Sequence, residues 1–250
     1  MYIGRFAPSP TGPMHFGSLV TAVASYLDAK HQDGLWKVRM EDLDQPRVIK
    51  HSDKSILDTL HQHGFQWDDE VIYQSHRLDI YQNCLSKLNQ QENTYFCGCS
   101  RKEIADSAMS GIDGMIYPGT CRDKKLDSKN HALRIKVEDV YVTFEDKIQG
   151  LIEQNILRNF GDFILKRSDG IYAYQLAVVI DDVIQNISTI IRGADLIDST
   201  SRQIYLQKKL SFPSPNYGHI PIATFNRKKL SKENQSTPVD HSNIKDNLIA

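Results

Sequence analysis

The first 40 residues constrain the fold more than any other part of the chain. Residues 2–7, YIGRFA, read as a short strand, and Pro8, Pro10, Gly12 and Pro13 then break regular structure. From Gly17 the apolar residues Leu19, Val20, Val23, Tyr26 and Leu27 recur at helical spacing, and Trp36–Met40 (WKVRM) reads as a second strand followed by the acidic EDLD. Strand, helix and strand at this spacing form the βαβ unit of a parallel sheet. The expected class is therefore α/β, a Rossmann-type parallel sheet with helices on both faces.

Further along, residues 47–66 and 75–92 read as helices. The stretch 97–121 carries Gly98, Gly111, Gly114, Pro118 and Gly119, so it reads as loop and not as a helix of the main fold. Residues 131–150 alternate as strands, and 172–182 and 187–196 return to a buried α/β pattern. The expected organisation is a first half of the sheet domain (1–94), an insertion (95–165) and a second half (166–250). Residues 233–250 are polar and suggest no element.

Bulk properties bound the partners. The chain has 250 residues, enough for one large domain or two small ones, and a formal net charge of −1. A dedicated nucleic-acid binder is often strongly basic, so the bulk charge favours no such role and leaves a local basic face open. No apolar run approaches the roughly 18 residues of a membrane span, and the start MYIGRFAPSP has no signal-peptide core, which gives an expectation of a cytoplasmic protein with no membrane partner.

Two stretches carry phosphate chemistry. His15-Phe16-Gly17-Ser18 stands between a strand and a helix start, where free N–H groups and the helix dipole attract anions. His15 can donate to a phosphate oxygen, and Gly17 lets a nucleotide ring approach the backbone. Far downstream, Lys228-Lys229-Leu230-Ser231-Lys232 offers two lysines three apart that can close over phosphates. Each has a plain alternative: a proline-rich turn with an incidental histidine, and a solvated surface run.

A small acidic substrate needs cations for its carboxylates and an anion for its amine. Arg5 and Glu41 are placed at the ends of the first two strands, on the edge where ligands bind in such sheets; Arg192 follows the apolar ISTII, and Tyr174 lies in DGIYAYQLAVVIDD. The structural alternatives are an Arg5–Glu41 salt bridge, a core tyrosine and a helix-capping Arg192. Cys97, Cys99 and Cys121 cluster in the glycine-rich stretch, which points to a metal. Zn²⁺ prefers four ligands; spacing does not single out the fourth, for which His131 is the ordinary candidate.

FAPSPTG followed by HFGS resembles the HIGH region of the glutamyl-tRNA synthetases and their short paralogues, with Ser18 in place of the final histidine, as in the paralogues. KLSK resembles the KMSKS loop, with Glu233 replacing its last serine. RMEDLD (39–44), DGIYAYQLAVVIDD and IRGADLIDSTSRQIYL (191–206) resemble the family's glutamate-pocket strings. The resemblance spans residues 2–232 and implies a class I aminoacyl-tRNA synthetase fold split by a zinc-bearing insertion. It implies ATP contacts at His15, Gly17, Ser18, Lys229 and Lys232, with His15 and the two lysines serving catalysis. It implies glutamate contacts at Arg5, Ala7, Ser9, Glu41, Tyr174 and Arg192. YPGTC (117–121) matches the paralogues' use of a tyrosine, so the resemblance implies one structural Zn²⁺ on Cys97, Cys99, Tyr117 and Cys121.

With no stretch resembling an anticodon-binding domain after Lys232, the chain resembles the glutamyl-queuosine tRNA(Asp) synthetase family. That implies tRNA-independent activation of L-glutamate with ATP and Mg²⁺, transfer to queuosine in tRNA(Asp), and action as a monomer. A short C-terminus raises the expectation of missing helices. The rival readings are a glutamyl-tRNA synthetase fragment charging tRNA(Glu), a non-catalytic paralogue, and another class I nucleotidyl transferase.

Overall fold

The structure is a computed structural model that describes residues 1–111, 114–225, 228–229, 239 and 244–249. The first half runs β1 (Ile3–Phe6), α1 (Phe16–His31), β2 (Leu35–Met40), α2 (Ser52–Gln62), β3 (Ile72–Tyr73) and α3 (Leu78–Gln90). Then follow β4 (Thr94–Cys97), α4 (Arg101–Ser107), β5 (Met109–Gly111), β6 (Gly114–Ile116), β7 (Ala132–Ile135), β8 (Tyr141–Asp146), β9 (Gly150–Asn155), α5 (Ile156–Asn159) and β10 (Ile164–Lys166). The chain continues through α6 (Tyr174–Ile184), β11 (Thr189–Gly193), α7 (Ile197–Leu210), β12 (Asn216–Ile220), β13 (Thr224–Phe225), β14 (Lys228–Lys229) and α8 (Ile244–Ile249).

β1, β2 and β3 pair in parallel, with Arg5 opposite Lys37. β11, β12 and β8 are also parallel, and β9 adds antiparallel to β8. The two sheets meet where β1 lies beside the start of β11: Ser188 N–H donates to the Ile3 carbonyl at 2.9 Å. β1 thus has β2 on one side, reached through α1, and a strand from the far half of the chain on the other. Crossovers reverse direction there, and parallel α/β sheets bind ligands outside the carboxyl ends of such strands.

Burial explains the helices. α1 turns Leu19, Ala22, Ser25 and Ala29 inward at spacings of three and four. The β1–β2 layer packs around Trp36, which is fully buried, stacked on Phe65 and edge-on to Tyr26, with its indole N–H on Ser25 Oγ at 3.0 Å. α6 is buried almost all round, from Gln175 to Asp182, so its Asp181 and Asp182 need partners inside the protein.

The two early helices are shorter than periodicity suggests. 3₁₀ turns at Gln45–Arg47 and Gln74–His76 take up part of the predicted spans, the first containing Pro46, which removes a backbone donor. The stretch 97–121, expected to be loop, contains the seven-residue α4 and the β5–β6 hairpin. α4 is nucleated by a capping box: Ser100 Oγ accepts from Glu103 N–H, and Glu103 reaches back to Ser100 N–H. Residues 233–250 suggested no element, yet α8 forms and Val239 is buried, its N–H on the Met14 carbonyl at 2.9 Å. β4, β7 and β10 form a separate antiparallel sheet, whereas β8 and β9 extend the sheet of β11 and β12.

Candidate active site

A cavity of about 290 Å³ opens at the carboxyl ends of β1 and β11. It is lined by Arg5, Ala7, Ser9, His15, Gly17, Ser18, Glu41, Tyr174 and Arg192, drawn from five separate segments. Thr11, Thr21, Asp195 and Ile222 also face it and were not foreseen; Asp195 stands in IRGADL, only three positions past Arg192.

The proline-rich segment is held rigidly. Ser52 Oγ accepts from Gly12 N–H at 2.9 Å and donates to the Gly12 carbonyl at 2.6 Å, while Glu41 N–H bonds the Pro8 carbonyl. His15 caps α1: its Nδ1 accepts from Ser18 N–H at 3.3 Å, and its Nε2 lies 3.0 Å from Ser18 Oγ. Nδ1 being an acceptor, Nε2 carries the proton and can donate towards an anion at the helix start.

Below the cavity floor lies a buried charge lattice. Arg5, 5% exposed, pairs with Asp182 at 3.3 Å. Arg39, fully buried, donates to Asp182 at 2.8 Å, to Gln185 at 2.7 Å and to Glu41 at 3.2 Å. The ion-pair partner of Arg5 is therefore Asp182, and that of Glu41 is Arg39, rather than each other. Burial pushes the Glu41 carboxyl up from its ordinary pKa, with Arg39 and Arg5 pulling it down; Asp182 stays low because the two guanidiniums overcome its burial. Arg39 reads as a structural strand residue in RMEDLD, because its partners Asp182 and Gln185 stand 143 and 146 positions away.

Arg192 stands on β11, so it is not a helix cap. It is 2% exposed and donates to His219, Thr200 and Gln203. One Nη1 bond goes to Tyr174 Oη at 3.4 Å, at the first turn of α6. Two guanidiniums, the carboxylates of Glu41 and Asp195 and a phenol thus converge with the α1 N-terminus on one cavity. Lys229 lies on β14, where its backbone pairs with Thr224; its side chain and all of Lys232 are outside the described residues.

The cysteines converge at a second place. Cys97, Cys99 and Cys121 have their sulfurs within 4.8 Å of one another, close enough to share one ion. Tyr117 Oη lies 3.3 Å from Cys97 Sγ and 3.5 Å from Cys99 Sγ, and accepts from Cys121 N–H at 2.9 Å. Burial works against the Cys121 thiolate, but hydrogen bonds from Tyr117, Gly98 N–H and the neighbouring thiols outweigh it and lower its pKa. His131 packs its Nε2 edge near Gly98 and bonds the Asp127 carbonyl through Nδ1 at 2.9 Å, and it is not among the ligand atoms that gather at the cysteines. Three thiols and a phenol oxygen make a four-donor set suited to tetrahedral Zn²⁺. Among the described residues, no helix is long and apolar enough to cross a membrane.

Comparison with known proteins agrees with this geometry. Residues 3–248 match the family described as tRNA synthetases class I (E and Q), catalytic domain. The glutamyl-Q tRNA(Asp) synthetase of Acinetobacter baylyi is 48% identical over 242 residues, covering 96% of this chain and 80% of the relative. That of Dechloromonas aromatica is 50% identical over 239 residues, covering 94% and 79%. The crystal structure of a glutamate tRNA ligase from Elizabethkingia meningosepticum, in complex with its amino acid, superposes with a TM-score of 0.80 at 26% identity; it covers 93% of this chain, which spans 52% of that enzyme. The chain belongs to the class I (E and Q) tRNA synthetase catalytic-domain family and, within it, to the glutamyl-Q tRNA(Asp) synthetases.

Proposed function

We propose that this cavity activates L-glutamate with ATP in the absence of tRNA and delivers it to queuosine at the wobble position of tRNA(Asp). The observation that carries the reading is the junction of Arg5, Arg192 and Glu41 with the His15 end of α1 in one cavity. Two fixed cations and one fixed anion complement a dicarboxylic amino acid, and the adjoining helix start complements a triphosphate.

In the first step a carboxylate oxygen of glutamate attacks the α-phosphorus of ATP in line. A P–O bond forms, the bond to the β-phosphate breaks, and pyrophosphate leaves. Arg5, Arg192, Glu41, Tyr174, Ala7 and Ser9 hold glutamate; His15, Gly17, Ser18, Lys229 and Lys232 hold ATP, taken as its Mg²⁺ complex. Catalysis is positioning and charge stabilisation, with no protein nucleophile. In the second step a hydroxyl of the queuosine cyclopentenediol attacks the activated carbonyl. An ester forms, the mixed anhydride breaks, AMP leaves, and the hydroxyl proton goes to solvent or to AMP. Cys97, Cys99, Cys121 and Tyr117 hold one structural Zn²⁺ away from this chemistry, and the protein acts as a monomer.

Glutamate-dependent exchange of pyrophosphate into ATP, without tRNA, tests the first step. Transfer of labelled glutamate to queuosine-containing tRNA(Asp) stripped of its 3′ adenosine, and not to queuosine-free tRNA(Asp), tests the second. Exchange that needs tRNA(Glu) would instead indicate an ordinary glutamyl-tRNA synthetase core, and no exchange at all would indicate a non-catalytic paralogue.

A further inference from the structure

Behind Arg192 lies a buried polar chain that the proposed chemistry does not use. Asp146 ends β8, His219 stands on β12, and Arg192 on β11; all three are 2% exposed or less. Asp146 Oδ2 meets His219 Nδ1 at 2.5 Å, and His219 Nε2 meets Arg192 Nε at 3.1 Å.

The proton positions follow from counting donors. Arg192 Nε–H can only donate. Thr200 Oγ, 3.0 Å from His219 Nε2, already gives its proton to the Leu196 carbonyl at 3.1 Å and accepts from Arg192 Nη2 at 2.6 Å. His219 Nε2 must therefore be a bare acceptor, and Nδ1 must carry the proton towards Asp146. Asp146 Oδ1 is fixed independently: it accepts from the N–H groups of Ile148, Gln149 and His219 at 2.9–3.0 Å. The carboxylate cannot rotate without abandoning those bonds.

We infer that Asp146 and His219 are positioning residues for the substrate arginine: Asp146 selects the His219 tautomer, and that tautomer holds Arg192 so that its Nη1 edge faces the cavity. This rests on the reading of Arg192 as a glutamate ligand. The chain runs from a strand in the 95–165 segment to the amino-acid pocket, so the β8–β9 hairpin and the pocket share one hydrogen-bonded unit.

The geometry supplies a nearly isosteric test. In Asp146→Asn the amide oxygen must stay at the Oδ1 position, where three N–H groups demand an acceptor. The amide NH₂ then donates to His219 Nδ1, the imidazole proton moves to Nε2, and two donors face each other at Arg192. KM for glutamate in tRNA-independent pyrophosphate exchange is expected to rise roughly tenfold or more, the loss of one charge-assisted hydrogen bond. KM for ATP is expected to change less than about twofold, since only the amino-acid side is touched. His219→Phe keeps an aromatic ring at this place and has no ring nitrogen to relay the change, so adding Asp146→Asn to that variant is expected to cost little. Equal cost of Asp146→Asn in both backgrounds would overturn the proposal.

A second readout does not need activity. Nitrogen-15 NMR of histidine-labelled protein should show His219 protonated at Nδ1 in the wild type and at Nε2 in Asp146→Asn. Wild-type protonation at Nε2 would overturn the relay. If the wild type activated no glutamate, the functional reading would fall, and the tautomer spectrum would still decide whether the Asp146–His219 pair fixes Arg192.

Discussion

The fully buried guanidinium of Arg39 donates to Glu41 Oε1 at 3.2 Å, so the anion that faces the cavity is anchored by a cation beneath it. Arg39 also bonds Asp182 and Gln185, while its Nε has no hydrogen-bond partner and lies 4.0 Å from Asp181 Oδ2. Removing this cation leaves two carboxylates underpaired in a dry site. Arg39→Met is expected to lower unfolding free energy by about 3–5 kcal/mol, the usual cost of breaking a buried ion pair from one side. Urea unfolding checks it: the midpoint should fall with the slope unchanged. Arg39→Lys keeps the charge but loses the fork, and should lie between Met and wild type.

Glu41 lines the cavity and is the only carboxylate among the predicted substrate contacts, so in the proposed reading it is the counter-charge for the ammonium group. Glu41→Gln keeps the shape and removes the charge. kcat/KM for glutamate should fall by about 30-fold, corresponding to about 2 kcal/mol for a charge-assisted hydrogen bond, with KM for ATP little changed. Pyrophosphate exchange at varied glutamate measures it. An unchanged value would place the ammonium elsewhere in the cavity.

Much of this site was legible because chemistry and position coincided in short strings. Arg5 and Glu41 each follow or end a strand, and Tyr174 and Arg192 lie in apolar runs that had to return to the sheet. The Asp146–His219 link was not legible. The two residues are 73 positions apart and meet only because β8 and β12 pair at Asp146 and Tyr217, a register that no periodicity announces. α4 was a different kind of miss: Ser100 and Glu103 stood in capping-box spacing, but the surrounding glycines and proline weighed more heavily. Spacing alone left the fourth donor open between Tyr117 and His131, since both are within reach of the cysteines along the chain.

His219 gives the protein a directional response to acid. Burial and the Arg192 cation push its pKa down to about 4, with Asp146 pulling upward; Arg5 adds to the depression, and Tyr217 stacks on the ring. In the unfolded chain the imidazole titrates near 6.5. The unfolded state therefore binds a proton that the folded state refuses, and stability is full above about pH 6.5 and is lost as pH falls towards 4. The depression corresponds to about 3 kcal/mol across that window. Thermal midpoints measured from pH 7.5 to 4.5 should drop for the wild type and drop less for His219→Gln, which has no proton to gain.

The cysteine cluster predicts a metal dependence separable from catalysis. Purified protein should hold one zinc per chain by elemental analysis, and Cys99→Ser or Cys121→Ser should lose it, because each removes a thiolate from a closed four-donor set. Ligands organised only in the folded state make metal binding part of folding energy, so chelation should lower the thermal midpoint by several degrees. Tyr117→Phe removes the phenol oxygen that lies against Cys97 and Cys99 and should weaken zinc affinity in competition with a chromophoric chelator. His131→Ala should leave zinc content unchanged, because no ring nitrogen of His131 gathers with the three thiols. Full zinc in Tyr117→Phe together with loss in His131→Ala would exchange their roles. The cluster lines none of the walls of the cavity that holds Arg5 and Arg192, so glutamate-dependent pyrophosphate exchange should survive zinc removal at temperatures where the apo protein stays folded.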